Sequence, residues 1–387
     1  MNVAVITSHP IQYQIPLFRK LSSQVNLTVY FAHRTTAKDQ SDAGFGVEFE
    51  WDVDLLQGYR YEYLPNHSKQ PNVNSYSGCD TPEIIQILNS GDYKAIIVYG
   101  WYLKVYIQAI RAANKLNIPV LVRGDSQLPG RSKLYKRFIK RMLLPVLFKK
   151  IDGFLSVGKR FDDYLEYYGV DRTKIFRMPH SVDNQYFSDL CKHQNITRSR
   201  QRFTQGEQDL LVLFVGKFID KKHPLDIIRA LGSLDSSKYK VKAIFVGDGN
   251  LKSEMLALAE KLHVSIFIEG FKNQSQLPEY YSLADMLVLP SDEGETWGLV
   301  VNEAMACGLP AIVSNLVGCS EDLILDGETG YTYLCGHVDE LANAIKKTAT
   351  SFAGSSRRKK IIMHINQYSI DMAVKHCVSA LQQIVER

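Results

Sequence analysis

Two tandem α/β domains, each a doubly wound parallel sheet, are the architecture this chain predicts, and three observations carry it. Short runs rich in Val and Ile alternate with helix-period segments almost from end to end, the pattern of parallel strands joined by helical crossovers. At 387 residues the chain exceeds what one hydrophobic core usually serves. The alternation breaks once, over residues 184–208, where a polar stretch reads as a linker.

In the first series, strands are expected at residues 2–7, 27–32, 95–100, 119–123, 153–157 and 175–179, making residues 1–183 one domain. Residues 35–80 are irregular, polar and aromatic, which suits loops or an edge hairpin. The second series falls at 210–215, 242–246, 265–268, 286–290, 311–314 and 330–333, so residues 209–365 form the other domain. Residues 357–387 carry a helical pattern. Doubly wound sheets bind ligands at the carboxyl ends of their strands, so two in tandem are expected to place them in the cleft between the domains.

Composition narrows the function. With 45% hydrophobic and 22% charged residues this is an ordinary globular protein. The net charge of +5 is mild, so a strongly basic surface has to be local. Cys79, Cys191, Cys307, Cys319, Cys335 and Cys377 form no CxxC pair and no metal-ligand spacing; reduced thiols in a cytoplasmic protein account for them best. No secretory leader and no apolar run of bilayer length is visible, which makes the sequons at Asn66, Asn195 and Asn273 chance matches.

The densest chemistry lies between Glu293 and Pro310. Glu295 falls in a polar loop just after strand 286–290, and Glu303 lies inside the helix that Gly308 and Pro310 end. A strand-loop-helix unit presents backbone N–H groups at the helix start, a seat for phosphate. Glu303 shares a helix face with Leu299 and Val300. Amides for a diphosphate with carboxylates for the sugars on either side make a nucleotide-sugar site; on spacing alone, either glutamate is more often a solvated charge. Gly216, Lys217 and Lys222 follow the first strand of the second domain. There two cations can neutralise a diphosphate, and a solvated lysine-rich loop is the alternative. The turn at Gly247 and the Gly270-Phe271 loop close the next two strands, where a plain tight turn serves as well.

The run from Glu295 to Pro310 resembles the Glu-x7-Glu signature of the retaining glycosyltransferases of family 4: Glu, a short step, Phe-Gly-Leu, then Glu-Ala-Met-Ala-Cys/Ala-Gly-x-Pro. Trp297 stands where Phe is usual, and Asn302 precedes the second glutamate. Gly318-Cys319-Ser320-Glu321 and Asp326-Gly327-Glu328-Thr329-Gly330 continue the pattern. The Gly216–Lys222 loop resembles the family's Gly-Arg-x4-Lys, with Lys217 in the Arg position. The resemblance implies the GT-B fold, two Rossmann-like domains facing a cleft with the last helix (366–387) crossing back onto the first domain. It implies metal-independent transfer, with retention, from a nucleoside-diphosphate sugar, with no cofactor beyond that co-substrate. Lys217 and Lys222 would hold the diphosphate with Gly216 and the amides around Thr296, Gly298 and Leu299. Glu303 would take the ribose, Glu295 the transferred hexose, and Gly247, Gly270 and Phe271 would lie near the nucleotide. Lys for Arg loses a bidentate fork to phosphate.

The first domain follows the family less closely. His9 and Gln12 stand where relatives place a glycine-rich loop, and hydrogen bonds to substrate or a packed loop histidine both fit. Trp101 suits stacking on an acceptor sugar or core packing equally. Relatives often carry a donor-contacting histidine at the Arg123-Gly124-Asp125 strand end; here Asp125 or Arg123 has to supply its role, and Asp125 joins Glu295, Lys217 and Lys222 as a catalytic candidate. His180 stands at the family's interdomain Asn-Gly-Val-Asp step. From Arg131 to Lys150 there are eight Lys/Arg and no acidic residue. An anionic membrane surface and solvated lysines over an ordinary core-facing side both fit this stretch. No nucleic-acid fold accompanies the charge. The resulting expectation is a transferase acting on a glycan or lipid-linked acceptor of bacterial surface-glycan assembly, cytoplasmic and peripheral to the membrane. An epimerase of the same architecture and a non-catalytic glycan-binding relative are the rivals. A dehydrogenase lacks its GxGxxG and downstream acid.

Overall fold

The computed structural model describes residues 1–34, 54–128, 130, 134–192, 196–206, 209–235, 240–351 and 355–386. Residues 35–53 of the irregular segment, 131–133 of the basic stretch, and 193–195 and 207–208 of the polar break lie outside the described residues. Contacts divide the described chain into one unit from residues 1–180 and 370–386 and another from residues 181–369.

The first unit is a seven-stranded, wholly parallel sheet: β1 (Asn2–Thr7), β2 (Asn26–Phe31), β3 (Arg60–Tyr63), β4 (Ala95–Val98), β5 (Val120–Gly124), β6 (Gly153–Ser156) and β7 (Ile175–Arg177), in the order β3-β2-β1-β4-β5-β6-β7. Its central strands are buried on both faces, which is why they read as unbroken apolar runs. β3 corrects the expected loops or hairpin: Arg60-Tyr61-Glu62-Tyr63 pairs parallel to β2 at the sheet edge. Its polar-aromatic alternation is that of an edge strand with solvent on one side. Helix Ile15–Ser22, with Pro16 in its first turn, packs against helix Ile370–Val385. Ala373, Val374, Cys377, Leu381 and Ile384 of the latter enter one core with Val3, Val5, Phe18 and Ile97. The last helix thus belongs to the first unit.

The second unit is a six-stranded parallel sheet: β8 (Leu210–Val215), β9 (Val241–Val246), β10 (Ile266–Gly270), β11 (Met286–Leu289), β12 (Ala311–Ser314) and β13 (Gly330–Tyr333), in the order β10-β9-β8-β11-β12-β13. Phe214, Phe245, Val288, Ile312 and Leu341 meet in its core.

The expected linker is no loop. Residues Asn184–Lys192 and Ile196–Arg200 are helices of the second unit. Asp183 caps the first by accepting from the Tyr186 N–H (3.0 Å), and Phe187 and Cys191, four apart, bury one face. Arg200 donates to Asp285 (2.8 Å), to Leu283 O and to Asp209 O. Polar composition concealed these helices, in which Arg200 is held by residues just before β8 and β11 and Lys192 by Asp189 of its own helix. Cys191 also corrects the expectation of six thiols. It is joined to Cys307 in a disulfide (Cα–Cα 6.1 Å), because Asn184–Lys192 lies against helix Leu299–Ala306.

Candidate active site

In both sheets the strand order reverses beside the first strand, between β1 and β4 and between β8 and β11. Loops diverge there and leave a crevice at the carboxyl ends. Most of the sequence-predicted residues sit at these two switch points.

In the second unit, the loop after β8 carries Gly216, Lys217 and Lys222, and the loop after β11 carries Glu295, Thr296 and Gly298. Lys222 ends a 3-10 turn (Asp220–Lys222) and its Nζ donates to Glu295 Oε2; Ser291 Oγ reaches the same oxygen at 3.4 Å. Both charged side chains are largely buried, at 16% and 17% exposure, so the pair joins the two loops across the switch point. Burial and the neighbouring Lys221 and Lys222 push Lys217 below the usual lysine range. Three cations are therefore gathered where they repel one another, an arrangement that an anion relieves.

The strand ends β8, β9 and β10 stand side by side through Gly216 N–H donating to Val246 O (2.9 Å) and Gly247 N–H donating to Gly270 O (2.8 Å). Gly247 is obligatory there. At φ +142° a Cβ would lie 2.0 Å from Gly216 O. Phe271 follows on the same edge.

Helix Leu299–Ala306 starts at Gly298 (φ +99°); the Val301 N–H turns back to Gly298 O (2.9 Å), while the Leu299 and Val300 amides lie in the first turn, where an α-helix supplies no acceptor of its own. Glu303 on that helix accepts a hydrogen bond from Tyr281 OH at 2.6 Å. Burial pushes its carboxyl up to about 7, and the Tyr281 bond partly offsets this. Tyr281, 1% exposed, and Ser291, wholly buried, are site residues that sequence reading missed. Neither lies in a motif, and only the packing of helix Leu277–Leu283 beside Leu299–Ala306 reveals Tyr281. The two departures from the family pattern meet each other: Trp297 Nε1–H donates to Asn302 Oδ1 at 2.8 Å, both side chains buried. An indole in place of a phenyl ring brings an N–H that needs a partner.

In the first unit, a cavity of about 300 Å³ opens at the β1/β4 switch point, with Trp101, Arg123, Asp125 and His180 among its lining. The β1 loop contributes Ser8, Ile11, Tyr13 and Gln14 to that lining, and not His9 or Gln12. His9 instead shares a hydrogen bond with Ser8 Oγ (2.9 Å). Arg123 is 6% exposed and donates to Met178 O (2.7 Å) and Pro179 O (3.5 Å), so its fork holds the segment leading to His180. His180 Nε2 lies 4.0 Å from Asp125 Oδ2 with the Tyr13 ring edge-on at 5.6 Å. Burial lowers the imidazole pKa, and Asp125 opposes this. Trp101 serves both readings: it lines the cavity and stacks with Phe161 and Tyr164 (6.0 and 6.1 Å). Among the described residues no group of three or more His, Cys, Asp or Glu could hold a metal ion.

Residues 195–376, just under half of the chain, match the family model described as glycosyl transferases group 1. N-acetyl-alpha-D-glucosaminyl L-malate synthase of Bacillus anthracis is 27% identical over 39% of this chain and 39% of its own length. Lipopolysaccharide 1,2-N-acetylglucosaminetransferase of Salmonella typhimurium is 26% identical over 39% of this chain and 42% of its own length. These matches span less than half the length of either relative. The crystal structure of Anabaena HepE in complex with UDP superposes with a TM-score of 0.72, covering 99% of this chain and 100% of that one at 15% identity, a likeness of fold. Residues 195–376, most of the second unit, are thus similar to the group 1 glycosyl transferases, and the chain has the GT-B fold.

Proposed function

We propose that this protein is a retaining glycosyltransferase of family 4. It moves a sugar from a nucleoside-diphosphate sugar to a glycan or lipid-linked acceptor in bacterial surface-glycan assembly, at the cytoplasmic side of the cell membrane. The observation that carries the reading is the convergence of Lys217, Lys222, Glu295 and the Gly298 helix start at one switch point, with Glu303 on that helix. Cations and amides there suit a pyrophosphate; one carboxylate stands on each side of it, Glu303 for ribose hydroxyls and Glu295 for the sugar.

The Lys222–Glu295 pair gives the site its economy. With donor bound, Lys222 turns to the diphosphate and Glu295 is released to accept from the hexose hydroxyls. The donor phosphate takes the acceptor proton, so no enzyme carboxylate serves as nucleophile and no metal or further cofactor is required. Asp125 and His180 line the first-unit cavity and orient the acceptor hydroxyl. The relatives named above support the class, since two are named for N-acetylglucosaminyl chemistry and a protein of the same fold binds UDP.

Product analysis tests the reading. Incubation with a nucleoside-diphosphate sugar and a glycan acceptor is expected to give an axial or equatorial linkage matching the donor anomer by NMR, together with free nucleoside diphosphate. Conversion of the donor to a different sugar nucleotide without acceptor would establish the epimerase instead, and binding without any turnover the glycan-binding relative.

A further inference from the structure

The helix Leu134–Phe148 is amphipathic in the wrong sense for a helix covering a soluble protein. At 100° per residue, Leu144 and Phe148 face inward, at 8% and 4% exposure. Phe138, Ile139, Met142, Leu143 and Val146 fall on one arc of about 140° and are 66%, 50%, 61%, 63% and 62% exposed. Sequence reading left open whether this apolar face was buried in the core; it points outward. Five large apolar side chains on adjoining turns form a contiguous patch of the kind soluble monomers rarely leave open.

Charge identifies what covers it. Arg137, Lys140, Arg141, Lys149 and Lys150 are all exposed along the same helix and its end, and the stretch from 131 to 150 contains no acid. Acids on the neighbouring helix Lys159–Tyr167 are already paired: Asp163 with Lys159 (2.9 Å), Glu166 with Arg172 (3.4 Å) and Asp162 with Arg177 (3.8 Å). A second copy of the chain would set this cationic rim against itself. An apolar strip with a basic rim matches a bilayer surface bearing anionic headgroups, where the rings and aliphatic chains enter the acyl boundary and the cations meet phosphates. Among the described residues no helix is long and apolar enough to cross a membrane, so the contact is parallel to the surface.

We propose that the outward face of Leu134–Phe148 docks this protein on an anionic lipid bilayer. The same helix reaches the first-unit cavity: Phe148 packs edge-on against Trp101 at 5.2 Å, and Trp101 lines the cavity. Docking therefore brings the cavity beside the leaflet, and its substrate class is a sugar carried on a membrane-held lipid. That last step rests on the proposed transfer reaction; the docking itself does not.

The test uses the full chain, without donor or acceptor, and two sets of vesicles: phosphatidylcholine alone, or with about 30 mol% phosphatidylglycerol. Co-sedimentation is expected with the anionic vesicles, and partitioning should fall roughly tenfold or more between about 0.1 and 0.5 M salt. The triple variant Phe138→Ser/Met142→Ser/Val146→Ser should lose roughly tenfold or more of the partitioning at unchanged melting temperature, since all three side chains are exposed. Failure of the wild type to sediment with anionic vesicles overturns the proposal, as does undiminished binding by the triple variant. A dimer in analytical ultracentrifugation that the serine variant dissolves overturns it in favour of self-association. Donor affinity, measured separately by calorimetry, is unaffected by any of these outcomes and reports on the transfer reading alone.

Discussion

Glu303 sets stability against binding. Its carboxyl titrates near 7 because burial disfavours the charge more than Tyr281 restores it. A folded-state pKa above the unfolded one means the folded protein keeps a proton that the unfolded chain releases. This group's contribution to stability therefore falls as pH rises from the ordinary glutamate range to about 7. Glu303→Gln is expected to raise stability at pH 8 by about 1–3 kcal/mol, measured by urea unfolding, while weakening nucleoside-diphosphate binding by roughly tenfold or more. Ribose hydroxyls need the carboxylate as acceptor, so wild-type affinity should also drop as pH falls below about 7. Affinity that is flat with pH would exclude the ribose role. The Trp297–Asn302 hydrogen bond is a second residue-scale test. Asn302→Leu strands a buried indole N–H and should cost about 1–3 kcal/mol, whereas Trp297→Phe/Asn302→Leu should cost less than the two single changes combined. Both departures from the family pattern were visible in the sequence; that one answers the other was not, because five residues of separation says nothing about which side chains turn inward.

At the scale of elements, the helix Leu299–Ala306 carries the site only because the loops around it pack backbone to backbone. Gly318 N–H donates to Glu295 O (2.9 Å), and a Cβ at Gly318 would stand 1.8 Å from Thr296 O. Gly318→Ala therefore has to push the Glu295–Trp297 loop away from the turn that follows β12. We expect a loss of stability of about 2–4 kcal/mol and of donor binding together, read by thermal unfolding and calorimetry; an unaffected donor affinity would detach this loop from the site. The far end of the helix is tied by Cys191–Cys307 across 116 residues, so Cys307→Ser is expected to cost about 2–4 kcal/mol under non-reducing conditions and markedly less when dithiothreitol is present throughout, where only the exchange of a buried thiol for a hydroxyl is left. Strands were the legible elements, since parallel strands buried on two faces read as apolar runs. The helices in 184–208 were illegible because their amphipathicity is short, two apolar residues four apart, and Arg200 looks like solvent-facing charge until Asp285 and the Leu283 carbonyl are seen to meet it.

For the whole molecule, the same topological rule places both candidate sites. Each sheet reverses its winding beside its first strand, and each reversal gathers most, not all, of the residues that sequence motifs marked in scattered positions. The second unit was readable because its motifs lie on consecutive strand ends. The first was readable in part. Trp101, Arg123, Asp125 and His180 do share one cavity, but Ser8, Ile11, Tyr13 and Gln14 rather than His9 and Gln12 complete it. The outward apolar face of Leu134–Phe148 was a matter of orientation, which periodicity cannot give.

The central claim is that the second unit grips a pyrophosphate through the loop carrying Lys222. Calorimetric titration of wild type and Lys222→Met with UDP, GDP and ADP tests it most directly. At least one of these is expected to bind the wild type, and the variant to lose roughly tenfold to a hundredfold in affinity for it. Binding of equal strength to both proteins, or no binding of any of the three to the wild type, would contradict it.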